Sequence, residues 1–219
     1  MTTEQRRTVS VILPPHGGEG LLGLPASQAR GIVLFAHGSG SSRLSPRNLH
    51  VAGVLQQTGL ATLLFDLLTE AEAEDRGNVF DIPLLAERLD SATDWAGTWP
   101  ATRGLALGLF GASTGAAAAL VLAARRGEVR AVVSRGGRPD LAAEALPRVA
   151  APTLLIVGGA DRQVLELNRQ ARRHLRCLSR LDIVPGATHL FEEAGALEQV
   201  AALAQAWFRR HLDAAKEAS

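Results

Sequence analysis

Cysteine is nearly missing from this sequence, because Cys177 is the one thiol among 219 residues. A single cysteine excludes an intrachain disulfide and a cysteine-based metal centre. The sequence also contains no tyrosine, so no phenolic hydroxyl is available to stabilise an oxyanion. We expect Cys177 to be a half-buried helix residue without a catalytic role, and we expect neither a metal nor a cofactor.

Charge of one sign and long apolar runs are also scarce. The formal net charge is +1, and the arginines are scattered instead of alternating with aromatic residues, which argues against nucleic-acid or acidic-membrane partners. No apolar run approaches the length of a membrane span. The first ten residues are polar and carry no apolar stretch typical of a signal peptide. These absences predict a cytoplasmic protein with no membrane partner.

The sequence does contain a regular alternation of short apolar runs and longer helical patterns. Such alternation is typical of an α/β protein with a mostly parallel sheet and helices on both faces, and the length suits a single domain over residues 1–219. The predicted strands cover residues 8–13, 20–24, 31–36, 61–66, 105–110, 130–134, 152–157 and 180–184. The predicted helices cover residues 48–58, 81–99, 114–126, 162–178 and 192–211. An acidic segment, 69–77, is predicted as a loop or frayed turn.

The segment Gly-Ala-Ser-Thr-Gly at residues 111–115 follows one of these apolar runs and precedes an alanine-rich helix. A serine in a sharp strand-to-helix turn has its hydroxyl exposed at the edge of the sheet. Small flanking residues tolerate the strained backbone of such a turn. Ser113 is therefore a candidate nucleophile, and the alternative interpretation is a helix N-cap.

Two further polar residues follow predicted strands, at the edge where open α/β sheets place their sites. Asp161 lies in the loop after the strand at 152–157, and His189 lies in the loop after the strand at 180–184. His189 could act as the base, or it could cap a helix that starts near Phe191. Asp161 could orient the imidazole, serve as the N-cap of the following helix, or do both. Acids considered less suitable are Asp66, Asp182, Glu192 and Glu193.

The order Ser113, Asp161, His189 is that of the α/β-hydrolase triad. Together with the segments at residues 35–40, 158–161 and 186–189, the sequence resembles the dienelactone-hydrolase-like family of the α/β-hydrolase superfamily, from about residue 9 to residue 211. The resemblance implies an α/β-hydrolase fold, a three-layer α/β/α sandwich. Dienelactone hydrolases proper use a cysteine nucleophile, and the serine at this position favours the small serine-esterase branch.

An oxyanion hole needs two backbone N–H groups directed at one point. One donor is expected from Thr114, the residue after the nucleophile. The other is expected from Ser39, since the loop after the strand at 31–36 resembles a His-Gly-x loop whose third residue donates. Gly38 and Gly40 would allow the substrate to approach closely, and His37 is expected to be structural.

Several arginines are predicted to lie on loops at the same edge of the sheet. Arg43 and Arg135 are candidate contacts for a carboxylate or phosphate on the substrate, with solvated loop arginines as the alternative interpretation. Arg47 and Arg138 are predicted nearby, and Asp140 could simply pair with Arg138.

The short segment between residues 134 and 152 leaves no room for a large cap domain. The resemblance and the three candidate residues imply a serine hydrolase that cleaves carboxylic esters through an acyl-enzyme. Without a large cap, we expect its esters to be small or short-chain. The alternatives are lactone or dienelactone, thioester or amide hydrolysis on the same triad, and a non-catalytic binding protein with a hydrolase fold. An edge strand or the terminal helix could form a homodimer interface, and the sequence does not decide the oligomeric state.

Overall fold

An eight-stranded sheet organises the protein, for which a computed structural model describes residues 6–212. The strand order is β1-β2-β4-β3-β5-β6-β7-β8. The opening hairpin β1–β2 is antiparallel and joins β4 in an antiparallel pair, whereas β3 to β8 run parallel. The strands are β1 Arg7–Leu13, β2 Gly18–Leu24, β3 Gly31–Ala36, β4 Ala61–Phe65, β5 Ala106–Ala112, β6 Val129–Arg135, β7 Thr153–Gly158 and β8 Ser179–Val184.

Helices cover both faces of this sheet, which explains why the inner strands are continuous apolar runs instead of alternating ones. All residues of β3, β4 and β7 are buried. The helices are α1 Pro46–Gln57, α2 Glu70–Glu74, α3 Arg76–Phe80, α4 Ile82–Thr98, α5 Thr114–Arg125, α6 Arg162–His174 and α7 Ala196–Leu212. Short 3₁₀ turns span Pro139–Ala142 and Leu146–Arg148.

The two faces of the sheet carry separate apolar cores. On one face α4 and α5 pack through residues such as Leu89 and Leu122. On the other face α1 and α7 pack through residues such as Leu55 and Phe208. Both layers meet the sheet below the carboxyl ends of β3 to β8, and the loops that leave those ends carry the candidate site.

The predicted fold class is confirmed, whereas the prediction of a loop or frayed turn for residues 69–77 was wrong. The acidic segment predicted as a loop forms α2 and α3. Thr69 and Glu72 make a capping box, in which the Thr69 hydroxyl accepts from the Glu72 N–H and the Glu72 carboxylate accepts from the Thr69 N–H. The Asp75 carboxylate then accepts from the Gly77 N–H and starts α3.

Several helix boundaries also differ from the prediction. Helix α6 ends at His174, four residues earlier than predicted, and α7 begins at Ala196, four residues later. The intervening chain before α7 contains Phe191 at φ 55° and Gly195 at φ 77°, which helical geometry does not allow. His189 therefore lies on an irregular loop, and no helix starts near Phe191.

No helix within residues 6–212 is long and apolar enough to cross a membrane. The polar opening segment predicted to lack a signal peptide falls partly outside the described residues, since these begin at Arg6.

Candidate active site

Ser113 lies in the turn between β5 and α5 with φ 51° and ψ −122°. A positive φ is costly for a residue with a side chain, and it persists only where the surrounding structure imposes it. Here the Ser113 N–H donates to the Arg135 carbonyl at 3.4 Å, and the Ser113 carbonyl accepts from the Arg138 N–H at 3.0 Å. Ser113 occupies the N-cap position of α5, but its side chain makes no capping hydrogen bond to the helix, so the hydroxyl is not used as a cap within the described structure.

Glycines next to the turn permit unusually close backbone packing. A Cβ atom at Gly115 would lie 2.2 Å from the Ala36 carbonyl oxygen, and one at Gly111 would lie 2.4 Å from the Ala116 Cα. A Cβ atom at Gly38 would lie 2.7 Å from the Ser113 Cβ. The glycines flanking Ser113 are thus required for packing of α5 against the ends of β3 and β5.

Asp161 and His189 are brought together although they are 28 residues apart in sequence. Asp161 Oδ2 lies 2.7 Å from His189 Nδ1. A carboxylate at this position favours the tautomer with the proton on Nδ1, which leaves Nε2 free to accept a proton. Asp161 Oδ1 also accepts from the Val164 N–H at 3.4 Å, so the same carboxylate caps α6.

The loop that carries His189 is locked onto the loop that carries Asp161. The Ala160 N–H donates to the Ala187 carbonyl at 2.9 Å. A Cβ atom at Gly158 would lie 2.3 Å from the same oxygen, which only glycine avoids. These contacts set the position of Asp161 relative to His189 through backbone atoms.

Glu193 supports this loop, a role that the sequence did not reveal. The Thr188 N–H donates to Glu193 Oε1 at 3.0 Å, and this hydrogen bond lowers the pKa of Glu193 below its ordinary value. From the sequence, Glu193 is only a less suitable rival acid, because it lies close to His189. Its contact with the loop backbone depends on the non-helical path of residues 190–195, which no local pattern indicated.

Ser113 and His189 lie at the same edge of the sheet. Arg135, whose carbonyl holds Ser113, is followed by Gly136, and a Cβ atom at Gly136 would lie 3.6 Å from His189 Cε1. No hydrogen bond joins the Ser113 hydroxyl to the His189 ring among the described residues. Catalytic hydrogen bonds are often long in unliganded sites and shorten when substrate binds.

The loop after β3 places its residues beside the serine. Gly38 is buried against Ser113, while Ser39 and Gly40 are exposed. Thr114 is buried as the first residue of α5. Ser39, Thr114 and Gly38 together line a cavity of about 570 Å³.

His37 keeps this loop in place, as expected for a structural residue. Its Nδ1 lies 3.0 Å from the Gly38 carbonyl oxygen, and its Nε2 accepts from the Leu67 N–H at 3.1 Å. This pair of contacts selects the neutral tautomer with the proton on Nδ1. Burial lowers the pKa of His37 below its ordinary value.

The arginines do not form the loop cluster that we expected. Arg43 lines the cavity, but its guanidinium pairs with both Asp66 and Glu19. Arg138 forms an ion pair with Asp140 at 2.7 Å, as considered from the sequence for these two residues.

Arg47 and Arg135 lie on regular elements instead of loops. Arg47 is on α1, 3.5 Å from Glu192, and Arg135 is the last residue of β6. The Arg135 side chain is buried and makes no hydrogen bond within the described residues, and its Nη1 is fully shielded from solvent. Burial and the neighbouring Arg47 charge lower its pKa to about 10.

The strand order, the serine turn and the Asp–His pair define an α/β-hydrolase fold. The sequence model of the Dienelactone hydrolase family matches residues 19–218. The crystal structure of a dienelactone hydrolase from Anabaena variabilis is 58% identical and superimposes with a TM-score of 0.89, covering 96% of this chain and 99% of that one. The chain belongs to the dienelactone hydrolase family.

More distant structures share the fold. The esterase domain of a Rhodothermus marinus protein is 20% identical, with a TM-score of 0.76 over 95% of this chain and 99% of that chain. A Mycobacterium tuberculosis protein with the name "Putative phosphoribosyl transferase" is 60% identical over 205 residues. That relative is similar in sequence, and the match covers 93% of this chain and 46% of the relative. The chain therefore spans about half the length of the curated relatives it matches.

Proposed function

We propose that the protein hydrolyses carboxylic esters through an acyl-enzyme on Ser113. The observation that carries the proposal is the geometry of Ser113. This residue has φ 51°, its hydroxyl makes no capping hydrogen bond to α5, and it lies at the same sheet edge as the Asp161–His189 pair. His189 Nε2 takes the hydroxyl proton while Oγ attacks the ester carbonyl, and the imidazolium then protonates the departing alcohol. Water deprotonated by His189 hydrolyses the acyl-enzyme, which releases the acid and restores the serine.

The developing oxyanion needs two donors close to Ser113. The backbone N–H groups of Ser39 and Thr114 are our candidates, since both residues line one cavity and Gly38 packs directly on the serine. Gly38 and Gly40 also line the cavity and leave room for substrate.

Arginine contacts with the substrate are a separate part of the proposal. Arg43 would contribute to the cavity wall rather than supply a free cation, because two carboxylates already bind it. Arg135 has no carboxylate partner among the described residues, which supports a contact with an anionic group on the alcohol side of an ester.

Membership of the dienelactone hydrolase family supports a hydrolase. The names of its neighbours, among them an esterase domain, support ester cleavage. The transferase name belongs to a protein about twice as long, and this chain matches only 46% of it. We therefore base the proposal on the site instead of on that name; lactone, thioester and amide hydrolysis are the alternatives on the same three residues.

The test is hydrolysis of p-nitrophenyl butyrate by the wild type and by Ser113→Ala, with labelling by a fluorophosphonate probe. Ser91→Ala is the matched control, because Ser91 lies on α4 and its hydroxyl donates only to the Glu87 carbonyl. We expect turnover and labelling to disappear in Ser113→Ala alone. Turnover that survives in Ser113→Ala, or a wild type that is neither labelled nor active on esters, would reject the proposal.

A further inference from the structure

The 570 Å³ cavity is lined by the two candidate oxyanion-hole residues but not by the catalytic base. Ser39 and Thr114 lie on its wall, so a carbonyl oxygen bound by their N–H groups would lie at its mouth. The rest of its lining comes from the start of β2, the loop after β3 and the segment from Asp66 to Leu85. Ser113, His189 and Asp161 are not among the residues that line it. Gly38, which packs against Ser113, and Thr114, which follows it, connect the cavity to the serine.

The strand order assigns the two halves of an ester to opposite sides of Ser113. Ser113 follows β5, which lies between β3 and β6. The His189 ring approaches Gly136, the residue after β6, whereas the cavity lies on the β3–β4 side. Because the base must reach the leaving alcohol, the alcohol lies toward β6 and the acyl group points into the cavity.

Two short helices that the sequence did not predict form part of the cavity wall. Ala73 and Val79 from α2 and α3 face a floor of buried leucines, Leu67, Leu68 and Leu85. Pockets that enclose a small-molecule ligand have volumes of roughly 300–1,000 Å³, so this one holds far more than an acetyl group. The α2–α3 segment thus adds apolar side chains to the cavity wall beyond the end of β4, although no large cap follows β6.

The charged residues of the cavity are mainly acidic. Glu19, Asp66 and Glu70 line it, and Arg43 is the basic side chain on its wall. The Arg43 guanidinium pairs with Asp66 and Glu19, and its backbone N–H also donates to Asp66 at 2.7 Å. Glu70 has no ion pair among the described residues. A carboxylate on the acyl group would therefore meet like charge with no free cation to bind it.

We propose that this cavity is the acyl pocket and that it selects uncharged, largely apolar acyl groups of medium length over acetyl groups and over acyl groups that end in a carboxylate. The inference rests on the proposed ester hydrolysis. It differs from the short-chain preference predicted from the short β6–β7 segment, because the apolar part of the cavity wall comes from a different part of the chain.

The length preference is tested with p-nitrophenyl acetate and hexanoate. We expect kcat/KM to be at least about tenfold higher for hexanoate, the scale on which an apolar pocket discriminates by a few methylenes. Val79→Trp fills the cavity and should lower the hexanoate-to-acetate ratio of kcat/KM by about tenfold. Phe80→Trp is the matched control, since Phe80 is 48% exposed and does not line the cavity, and it should leave the ratio unchanged.

The charge preference is tested with the mono-p-nitrophenyl ester of adipic acid, which carries a terminal carboxylate on a chain of the same length. Wild-type kcat/KM should be at least about tenfold lower for this ester than for hexanoate, because like charges at a binding surface strongly disfavour a partner. Glu70→Gln should raise kcat/KM for the adipate ester and so lower the hexanoate-to-adipate ratio of kcat/KM several-fold.

The outcomes separate this inference from the proposed function. A wild type that hydrolyses none of these esters and escapes fluorophosphonate labelling rejects ester hydrolysis itself, and the acyl pocket with it. Turnover that prefers acetate or the adipate ester, or a Val79→Trp ratio equal to that of Phe80→Trp, rejects the acyl pocket while ester hydrolysis stands.

Discussion

Asp161 serves two structural tasks with one carboxylate. Oδ2 meets His189 Nδ1 at 2.7 Å, and Oδ1 accepts from the Val164 N–H at the start of α6. Helix N-caps favour aspartate and asparagine equally, whereas only the carboxylate holds the imidazole with its proton on Nδ1. Substitution by asparagine therefore separates the two tasks.

For Asp161→Asn we expect kcat to fall by about 10⁴-fold, the loss typical of a triad with the wrong imidazole tautomer. The melting temperature should stay close to that of the wild type, because asparagine still caps α6. Steady-state kinetics and thermal unfolding measure both quantities. Asp182→Asn is the control, since Asp182 pairs with Arg180 on β8, and a comparable loss of kcat there would contradict our assignment of the acid.

His37 links the loop after β3 to the end of β4 in its neutral form. Burial disfavours the imidazolium, so the pKa of His37 is lower in the folded protein than in the unfolded chain. The unfolded chain consequently binds the proton more readily, and the stability that neutral His37 contributes above its ordinary pKa is lost as the pH falls below that value.

We predict that His37→Gln lowers the free energy of unfolding by about 1–3 kcal/mol at pH 7.5, the contribution of two hydrogen bonds. At pH 5.5 the difference from the wild type should shrink. Urea unfolding at both pH values measures it. Burial also lowers the pKa of His16 and His211, but these residues are common to both proteins. A difference that does not change with pH would refute the prediction.

Arg135 is a buried guanidinium beside a second arginine and without a carboxylate partner among the described residues. Arginine stays protonated in proteins, so the fold carries a charge that burial disfavours. Arg135→Met keeps the apolar stem and removes the charge. We expect it to raise the free energy of unfolding by roughly 1–4 kcal/mol in urea titrations. Arg135→Lys retains the charge and should show no such gain; a loss of stability in Arg135→Met would show that the charge is compensated.

At the scale of elements, the β5–turn–α5 unit depends on contacts with β3. The first turn of α5 approaches the carbonyls of Ala36 and His37, which leaves no volume for a side chain at Gly115. The strained φ of Ser113 is maintained by this packing and by the hydrogen bonds to Arg135 and Arg138. The turn at Ser113 is thus stabilised from three strands of the sheet.

Gly115→Ala should therefore lower the free energy of unfolding by about 1–3 kcal/mol, as overpacking does, and should reduce the proposed ester hydrolysis by displacing Ser113. Gly53→Ala is the matched control, because Gly53 lies within α1 with nothing within 4 Å of the added Cβ. It should raise the free energy of unfolding by about 0.5–1 kcal/mol. Chemical denaturation of both variants provides the measurement, and equal effects of the two substitutions would refute the packing argument.

At the scale of the whole molecule, one sheet separates two apolar cores. Trp95 and Trp99 stack with ring centroids 4.8 Å apart on the α4 side, and Trp207 is buried on the α7 side. If residues 1–219 form a single domain, both cores lose their packing when the shared sheet unfolds.

We predict one cooperative unfolding transition for the whole chain. Tryptophan fluorescence and far-ultraviolet circular dichroism should give coincident curves in urea, the usual test of a two-state transition. A Trp207→Phe variant, which reports only from the α4 side, should give the same midpoint by both probes. Transitions with different midpoints would indicate that the two cores unfold independently.

Much of the architecture could be predicted from local patterns. The apolar runs of β3, β5 and β7 and the turn residues after them are visible without any tertiary information, since period and turn chemistry act over a few residues. A capping box also signals α2, because Thr69 and Glu72 have the required spacing, but the acidic composition led us to predict a loop.

The sequence by itself determined the order of the strands and of the five longer helices along the chain. It also determined the serine turn and the fact that Ser113, Asp161 and His189 follow parallel strands. Only the tertiary structure decided that Asp161 contacts His189, that Glu193 holds the His189 loop, that Arg135 is buried, and that α2 and α3 line a cavity. These features depend on contacts between elements distant in sequence, and such contacts arise from packing across the sheet, which no local pattern encodes.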